Sequence, residues 1–366
     1  MRRKKRKSND YQKLEDRKYL TVSAGVTVTG SLSVRGNPDG PVEITSIGNN
    51  QFQITDAGQV VTVAEGVTRN IVVRLDVIPQ GVDDVSIDLG NQLIDNVVAD
   101  LGNGTNIFDI TGTNQATRVI YRGGNGDDTV TVNVDTTRIT SAVGGNGVNT
   151  FTVLSDSLRY RYRGVGGFDN VTLGSALAPG AVQADFAGIV LGNGQNHFQS
   201  FATINEFQFV SGGDQADNIS SFNAPNTATF SLGTGNNILQ LDGSYGELFV
   251  RGGNDNQDAV FFAPTAIVND RVGIILNGGN DFTRVDGTFN TDFFFRGTDG
   301  GDQVFFSNTA QVNGDVTAFL GADSNRFTHD GTTSGNLFVT SRTLDDTFIV
   351  NGIVEGTIVL APGSES

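Results

Sequence analysis

Glycine-rich loops that end in an aspartate are the parts of this sequence best suited to chemistry. The clearest is RGGNGDDTVTV, residues 122–132, in which three glycines precede Asp128. Weaker versions of the same loop precede Asp258 and Asp302. Carboxylate oxygens are the ligands that calcium prefers. Asp128, Asp258 and Asp302 are therefore the candidate metal-binding residues, and calcium is the cofactor that they would hold.

A structural role competes with this interpretation. Residues 123–131 fit the G-G-x-G-x-D-x-U-x nonapeptide of calcium-binding β-rolls. A calcium site, however, needs carboxylates from adjacent turns, and the neighbouring repeats offer Asn106 and Asn149 instead. Glycine also supplies the positive φ angles of tight corners, and Asp and Asn side chains bond their own backbone there. The sequence favours this second role and leaves calcium as the alternative.

The glycine loop recurs along the body of the chain with a period near 22 residues. Each loop ends in an aspartate or asparagine, the anchor, with an apolar residue two positions later. Glycine loops in register at this period are typical of a β-solenoid rather than of a nine-residue tandem repeat. The predicted anchors are Asp83, Asn106, Asp128, Asn149, Asp169, Asn196, Asp217, Asn236, Asp258, Asn280, Asp302, Asn325 and Asp346.

Each repeat is predicted to contain two strands. An alternating run such as DTVTVNV (residues 128–134) follows the anchor, and a second run such as GELFVRG (246–252) ends at the next glycine loop. Period-two alternation, β-branched and aromatic residues, and Gly, Asn and Asp at the breaks all favour strands joined by turns. The body shows no sustained helical pattern, so we expect an all-β fold almost without helix.

Anchors alternate between acid and amide, which makes the predicted unit a double repeat of about 44 residues. The apolar position two residues after each anchor alternates as well, so that large and small core side chains would interlock. After the asparagines it holds Phe108, Phe151, Phe198, Ile238, Phe282 and Phe327; after the aspartates it holds Val85, Val130, Val171, Ile219, Val260, Val304 and Phe348.

Stacking explains the alternation physically. Successive coils of a parallel solenoid lie about 4.8 Å apart, so the anchors would form one column, and about 13 coils would give a rod roughly 60 Å long. An interleaved asparagine donates its NH₂ group to the carboxylates and doubles the distance between charges. Arg122, Arg163, Arg251 and Arg296, just before glycine loops of aspartate repeats, are predicted to neutralise the remaining charge.

The predicted architecture is a single parallel β-solenoid over residues 83–361. Residues 1–20 form a basic amino-terminal segment that we expect to be disordered, residues 21–82 an irregular β cap, and residues 362–366 a polar tail. A seven-bladed β-propeller is the alternative, because seven double repeats of four strands would suit seven blades. The two halves of each double repeat share one loop pattern, which favours stacked coils.

Composition narrows the classes of partner. The chain has 366 residues, no cysteine and a formal net charge of −16. All five lysines lie at or before Lys18, and the chain after residue 20 holds 15 arginines against 37 acidic residues. Such an acidic body repels nucleic-acid phosphates, so no nucleic-acid partner is expected. No transmembrane segment is predicted either.

The basic amino-terminal segment contains the one motif that indicates a location. Leu14, Glu15, Asp16, Arg17 and Leu20 stand in the run LEDRKYL. This run resembles the amino-terminal LEPR- or LEDR-type sorting motif of predicted surface proteins from planctomycete bacteria, and the glycine-loop repeats of the body resemble theirs as well. Tyr19 departs from the leucine or valine usual there. The resemblance implies export and an extracellular or cell-surface location.

Three functions follow from these observations. The first is a non-enzymatic structural or adhesive protein of the cell surface, an acidic rigid rod with cell-envelope components or neighbouring copies as partners. The second is a calcium-dependent binding module. The third is a glycan-degrading β-helix, which would need a cluster of catalytic carboxylates on one outer face. The acidic residues recur at turn positions instead, so the sequence favours a protein that is not an enzyme.

Phenylalanine pairs near the carboxyl end leave one further question. FFFR (residues 293–296) and VFFS (304–307) place phenylalanine on both faces of a strand. Single exposed aromatic residues need no explanation. A contiguous outward row would indicate an assembly face.

Overall fold

The computed structural model describes residues 22–75, 81–222, 226–254 and 257–363. They form 36 strands in two long sheets, and the described residues contain no helix. The basic segment, with Leu14, Glu15, Asp16, Arg17 and Leu20, lies outside them.

Sheet A has twenty strands. They are β1 (Val22–Val26), β2 (Ser31–Gly36), β6 (Asn70–Leu75), β8 (Ile94–Gly102), β10 (Ala116–Gly123), β12 (Thr136–Val143), β14 (Arg159–Arg163), β16 (Gln183–Val190), β18 (Thr203–Ser211), β20 (Thr227–Ser231), β22 (Ser244–Arg251), β24 (Ile267–Ile275), β26 (Thr288–Phe289), β27 (Phe293–Arg296), β29 (Gln311–Val312), β30 (Val316–Phe319), β32 (Thr332–Thr333), β33 (Leu337–Thr340), β35 (Ile353–Val354) and β36 (Ile358–Ala361).

Sheet B has sixteen strands. They are β3 (Val42–Gly48), β4 (Gln51–Asp56), β5 (Gln59–Ala64), β7 (Val82–Asp88), β9 (Thr105–Thr111), β11 (Asp128–Asn133), β13 (Asn149–Val153), β15 (Asp169–Leu173), β17 (His197–Ser200), β19 (Asn218–Ser221), β21 (Ile238–Leu241), β23 (Ala259–Phe262), β25 (Phe282–Val285), β28 (Gln303–Phe306), β31 (Arg326–His329) and β34 (Thr347–Val350).

The chain alternates between the two sheets, and each strand pairs in parallel with the strand one coil later. This is a β-solenoid of about 13 turns. After β24 the sheet A side of each coil divides into two short strands, as in β26 and β27. The parallel solenoid predicted from the repeat is confirmed. Two continuous sheets exclude the propeller, whose strands would be divided among separate blades.

Antiparallel strands occur at the amino-terminal end. Strand β1 pairs antiparallel with β2, and β3, β4 and β5 form an antiparallel meander. Strands β2 and β3 are also the first parallel partners of the solenoid, pairing with β6 and β7. Residues 22–64 therefore join the solenoid in register, and β1 and β5 become the outermost strands of the two sheets at this end.

The core lies between the sheets and consists of the inward half of every strand. Alternation produces it directly: in β14 the side chains of Tyr160 and Tyr162 are buried, whereas Arg159, Arg161 and Arg163 point outward. Phe151 stacks on Tyr162 at 5.6 Å between ring centroids. Large apolar side chains on adjacent coils thus pack into one continuous cluster, and coils that share one core stabilise each other as neighbours in a solenoid do.

Candidate functional site

Acid and amide side chains do form a single column inside the solenoid, at the start of the sheet B strands. We call this the Asp/Asn column. Strand register places thirteen residues in it: Asp83, Asn106, Asp128, Asn149, Asp169, Asn196, Asp217, Asn237, Asp258, Asp281, Asp302, Asn325 and Asp346. All of them except the half-buried Asp346 are at most 3% exposed.

Two of the predicted anchors are wrong by one position. Asn236 and Asn280 are exposed, and the adjacent Asn237 and Asp281 occupy the column. The residues two positions after the predicted anchors, Ile238 and Phe282, also lie outside the core. At both sites two polar residues stand side by side. Alternation favoured Asn280 over Asp281, whereas Asn236 and Asn237 are both amides, between which alternation cannot choose. The consequence is chemical, because Asp281 puts a third carboxylate between two others.

Asparagine connects the coils as predicted. The Nδ2 group of Asn106 donates to Asp128 Oδ1 at 2.7 Å, that of Asn196 to Asp217 Oδ1 at 2.8 Å, and that of Asn237 to Asp258 Oδ1 at 2.8 Å. The same amide group also donates to its own loop: Asn196 Nδ2 lies 2.8 Å from the Gly192 carbonyl oxygen. These asparagines therefore tie a glycine loop to the next coil. In Asn325 the Nδ2 group donates to the Ala322 and Asp323 carbonyl oxygens of its own loop, and the backbone N–H donates to Asp346 Oδ1.

Aspartate accepts where asparagine donates. Asp169 Oδ1 accepts from the Tyr162 hydroxyl at 2.8 Å, and its Oδ2 accepts from the Gly192 backbone N–H of the next coil at 2.9 Å. In Asp217, Oδ2 accepts from the Gly213 N–H at 2.9 Å. Buried carboxylates that accept several hydrogen bonds have their acceptor capacity satisfied within the fold.

The first glycine of each aspartate loop makes room for the carboxylate. A β-carbon on Gly123 would overlap Asp128 Oδ2, and one on Gly297 would overlap Asp302 Oδ2. The same relation holds at Gly164, Gly212 and Gly252. In the coils of Asn106, Asn196, Asn237, Asp281 and Asn325 a buried leucine stands at this point: Leu101, Leu191, Leu232, Leu276 and Leu320. Glycine therefore lies beneath aspartate and leucine beneath most asparagines, whereas Gly144 lies beneath Asn149.

Asp281 breaks this rule. Its coil carries Leu276, as most asparagine coils carry a leucine, yet the column residue is an acid. Asp258, Asp281 and Asp302 are thus three carboxylates in consecutive coils, which we call the acidic triplet. Asp281 Oδ1 accepts from the Asp258 backbone N–H at 2.8 Å. Asp281 Oδ2 and Asp302 Oδ2 are buried without a hydrogen-bond partner.

Burial raises the pKa of several column acids, and most strongly that of Asp281 and Asp302. Desolvation raises the pKa of Asp83, Asp128 and Asp217 to about 6. It raises the pKa of Asp281 to about 7 and that of Asp302 to about 8, and it also raises the pKa of Asp258. The hydrogen bond from Asn106 opposes the rise in the pKa of Asp128, whereas the Asp281 charge adds to the rise for Asp302. Near pH 7 the neutral side chain is therefore favoured at Asp302, and Asp281 is close to its pKa.

The predicted arginine neutralisation is wrong. Arg122, Arg163, Arg251 and Arg296 are exposed on the outside of sheet A, whereas the column side chains point inward. Among the described residues the ion pairs join Arg69 to Asp95 and Arg284 to Asp286. Hydrogen bonds and protonation, rather than arginine side chains, stabilise the buried acids of the column.

The candidate calcium residues are only partly brought together. Asp258 and Asp302 flank Asp281, but Asp128 lies six coils earlier in the column. All three side chains point into the core and are at most 2% exposed. No group of three or more acidic, histidine or cysteine side chains with metal-binding geometry occurs in the part of the chain that is described. The glycine loops here hold hydrogen-bonded carboxylates.

Sequence reasoning missed an aromatic arrangement on the outer face of sheet A. Phe209, Phe249, Phe294 and Phe338 occupy the same outward position in every second coil, and we call them the aromatic row. Thr229, Gly273 and Thr317 stand at this position in the coils between. Aligning the second strands of the repeats residue by residue, rather than by their final glycine, would have revealed it.

A groove of about 880 Å³ lies over this face. Phe249 and Phe294 form its floor on either side of Gly273, and its polar lining includes Arg251, Arg271, Asp270, Asp292 and Asp315. The Arg271 guanidinium lies 5.4 Å from the centre of the Phe249 ring. The groove is thus an aromatic floor with charged groups of both signs along it, a combination typical of ligand sites.

Comparison of the chain with protein-family models, with curated proteins and with solved structures finds no match. None of the described residues belongs to a helix that is long and apolar enough to cross a membrane.

Proposed function

We propose that this protein is a non-enzymatic, exported structural or adhesive protein of the cell surface that acts as an acidic rigid rod. The observation that carries the proposal is the Asp/Asn column, which continues in register through thirteen coils. Repetition of this kind specifies length and stiffness, because each coil contacts only its neighbours along a single axis.

The chemistry of the acidic residues supports a structural role. Catalytic carboxylates must reach the substrate or a water molecule. The column aspartates instead lie inside the solenoid, where they accept hydrogen bonds from asparagine side chains and backbone N–H groups. Their carboxyl groups are used in joining the coils.

The charge of the body and the amino-terminal motif support a cell-surface location. The body after residue 20 is strongly acidic, and Leu14, Glu15, Asp16, Arg17 and Leu20 match the sorting motif of the surface proteins that the sequence resembles. An acidic rod repels other copies at long range and stays dispersed. Surface display is the setting in which a stiff acidic spacer is useful.

Antibody labelling of the source cells tests this proposal. An antibody against the solenoid should label intact cells as strongly as permeabilised cells. Removal of residues 1–20 should confine the label to permeabilised cells, whereas the matched control Asn9→Ala, which lies outside the motif, should leave the labelling of intact cells unchanged. Label that appears only after permeabilisation of cells with the intact protein would contradict the proposal.

Calcium-dependent binding is a second candidate, favoured by one observation. Asp281 Oδ2 and Asp302 Oδ2 are unpartnered acceptors in consecutive coils. A cation held there would raise the melting temperature in calcium and lower it in chelator. If the melting temperature is the same in both conditions, this candidate is excluded and the rod remains.

A further inference from the structure

The aromatic row has the geometry of a repeating platform. Consecutive members are two coils apart, which corresponds to about 9.6 Å along the axis. Leu248 and Val250 are buried on either side of Phe249, so the phenylalanine ring lies on the outer surface. Thr229, Gly273 and Thr317 separate the rings, and the Phe249 ring lies over Gly273, with its Cδ1 atom 3.5 Å from the position that a β-carbon would take there. A ligand that stacks at regular intervals could therefore lie along the solenoid.

The row becomes continuous towards the carboxyl end. Phe319 lies in the neighbouring line of outward-facing side chains on sheet A. Its ring centre is 5.9 Å from that of Phe294 and 5.9 Å from that of Phe338. Phe338 is 37% exposed. An exposed apolar surface of this extent, bordered by polar groups, marks a binding site more often than chance.

The polar groups along the groove are held in fixed positions. Asp292 Oδ1 accepts from the Asp315 backbone N–H at 2.8 Å, and Asp315 Oδ1 accepts from the Asn336 backbone N–H at 2.7 Å. Each carboxylate thus keeps its second oxygen for a ligand while the first is tied to the next coil. Arg251 and Arg271 supply donors on the same face.

We propose that the outer face of sheet A from β18 to β33 binds an extended neutral glycan that runs along the solenoid axis. The apolar faces of every second sugar ring would stack on the aromatic row. Hydroxyl groups at the ring edges would donate to Asp270, Asp292 and Asp315 and accept from Arg251 and Arg271. Aromatic surface with a few fixed polar groups is the usual composition of such sites.

Charge and backbone geometry exclude the obvious competitors. Three carboxylates against two arginines in the groove disfavour an anionic glycan. A β-strand peptide adds at a sheet edge, whereas β22, β24 and β27 pair on both sides. A polyproline helix repeats about every 9.3 Å and so matches the spacing, but it has few hydroxyl groups to satisfy the fixed carboxylates.

The glycan site extends the adhesive part of the proposed function. It depends on that proposed function only for its biological setting. The test uses the purified full chain and isothermal titration with cellohexaose, xylohexaose and chitohexaose. Binding of at least one of them at millimolar concentration is expected. The double variant Phe249→Ala/Phe294→Ala should weaken that binding at least tenfold, and Gly273→Leu, whose side chain would displace the Phe249 ring from its place over Gly273, should do the same.

Phe261→Ala/Phe305→Ala is the matched control, since both of these phenylalanines lie on the outer face of sheet B, away from the groove. Melting temperatures of all variants show whether the fold is retained. Absence of binding to all three glycans overturns the proposal, as does binding that the groove variants leave unchanged, or binding of a polyproline peptide alone. Such results would leave the surface location, tested by antibody labelling, unaffected.

Discussion

The alternating part of the column, Asp83 to Asp258, and the acidic triplet are built on the same backbone but differ in their chemistry. In the first, each asparagine donates to the carboxylate beside it, as Asn106 does to Asp128. In the second, Asp281 offers no such donor while it is ionised. Unpartnered Oδ2 atoms occur in both regions, at Asp83 and Asp128 as well as at Asp281 and Asp302. Strand pairing is nevertheless regular through both. Coiling therefore does not require the alternation of acid and amide. The alternation instead supplies the donors that allow buried acids to ionise.

Glycine beneath the carboxylate is common to both regions and should give the largest effect. We expect Gly123→Ala in the alternating part and Gly297→Ala in the triplet each to lower the free energy of unfolding by about 3 kcal/mol, because the new methyl group overlaps a buried carboxylate. Gly188→Ala is the control, since no atom lies within 4 Å of its added β-carbon. Urea denaturation measures all three. Equal losses in the three variants would mean that the carboxylates do not pack against these glycines.

An artificial acidic triplet should have the second-largest effect on the free energy of unfolding. Asn149→Asp places three acids, at 128, 149 and 169, in consecutive coils and removes the donor to Asp169 Oδ1. At pH 8 we expect a loss of about 2 kcal/mol in the free energy of unfolding. Asn308→Asp, at an exposed turn position, should change it by less than about 0.5 kcal/mol. A variant Asn149→Asp as stable as the wild type at pH 8 would contradict the role of asparagine.

The reverse change should stabilise the natural triplet. Asp281→Asn restores an amide in a coil that already carries Leu276, and it removes one carboxyl group whose pKa is raised. We expect a gain of about 1 kcal/mol at pH 8, and the smallest gain near pH 4, where the acid is protonated in the folded chain and largely so in the unfolded chain. Asp135→Asn, an exposed acid, is the matched control. Calorimetric melting temperatures at the two pH values provide the comparison.

Smaller effects come from the acids of the alternating part. Asp83, Asp128 and Asp217 have a folded-state pKa of about 6, above their usual range. The folded chain therefore keeps protons that the unfolded chain has lost, and the stability that these protons contribute is lost as pH rises from about 4 to about 6. We expect this decline both in the wild type and in Asp281→Asn. Denaturation midpoints over this range measure it, and a rise with pH would have the wrong sign.

Much of the fold was predictable because the coil repeat of a solenoid appears as a period in its amino-acid sequence. Glycine loops and alternating strands gave the coil, and eleven of the thirteen column residues were found directly. The two errors occurred at Asn236 and Asn280, where neighbouring polar residues compete and only strand pairing decides which side chain points inward. The neutralising role of Arg122 was wrong because its side chain points outward from sheet A, whereas the carboxylate of Asp128 is buried in the core.

The candidate ligand groove was beyond the reach of the linear sequence. Its floor combines Phe249 and Phe294, which are 45 residues apart and belong to the same face only after two coils have been stacked. The antiparallel pairing of β3, β4 and β5 was equally hidden, because it lacks the repeat. Contacts that cross coils at irregular spacing leave no period to detect.

The free energy of unfolding between about pH 6 and pH 8, compared for the wild type and Asp281→Asn, tests the central claim most directly. Among the column acids, Asp281 and Asp302 have a pKa of about 7 and about 8, so the triplet dominates this window. The free energy of unfolding of the wild type should fall with rising pH. That of the variant, which has an amide donor beside Asp302, should fall much less. Equal slopes for the two proteins would contradict the claim.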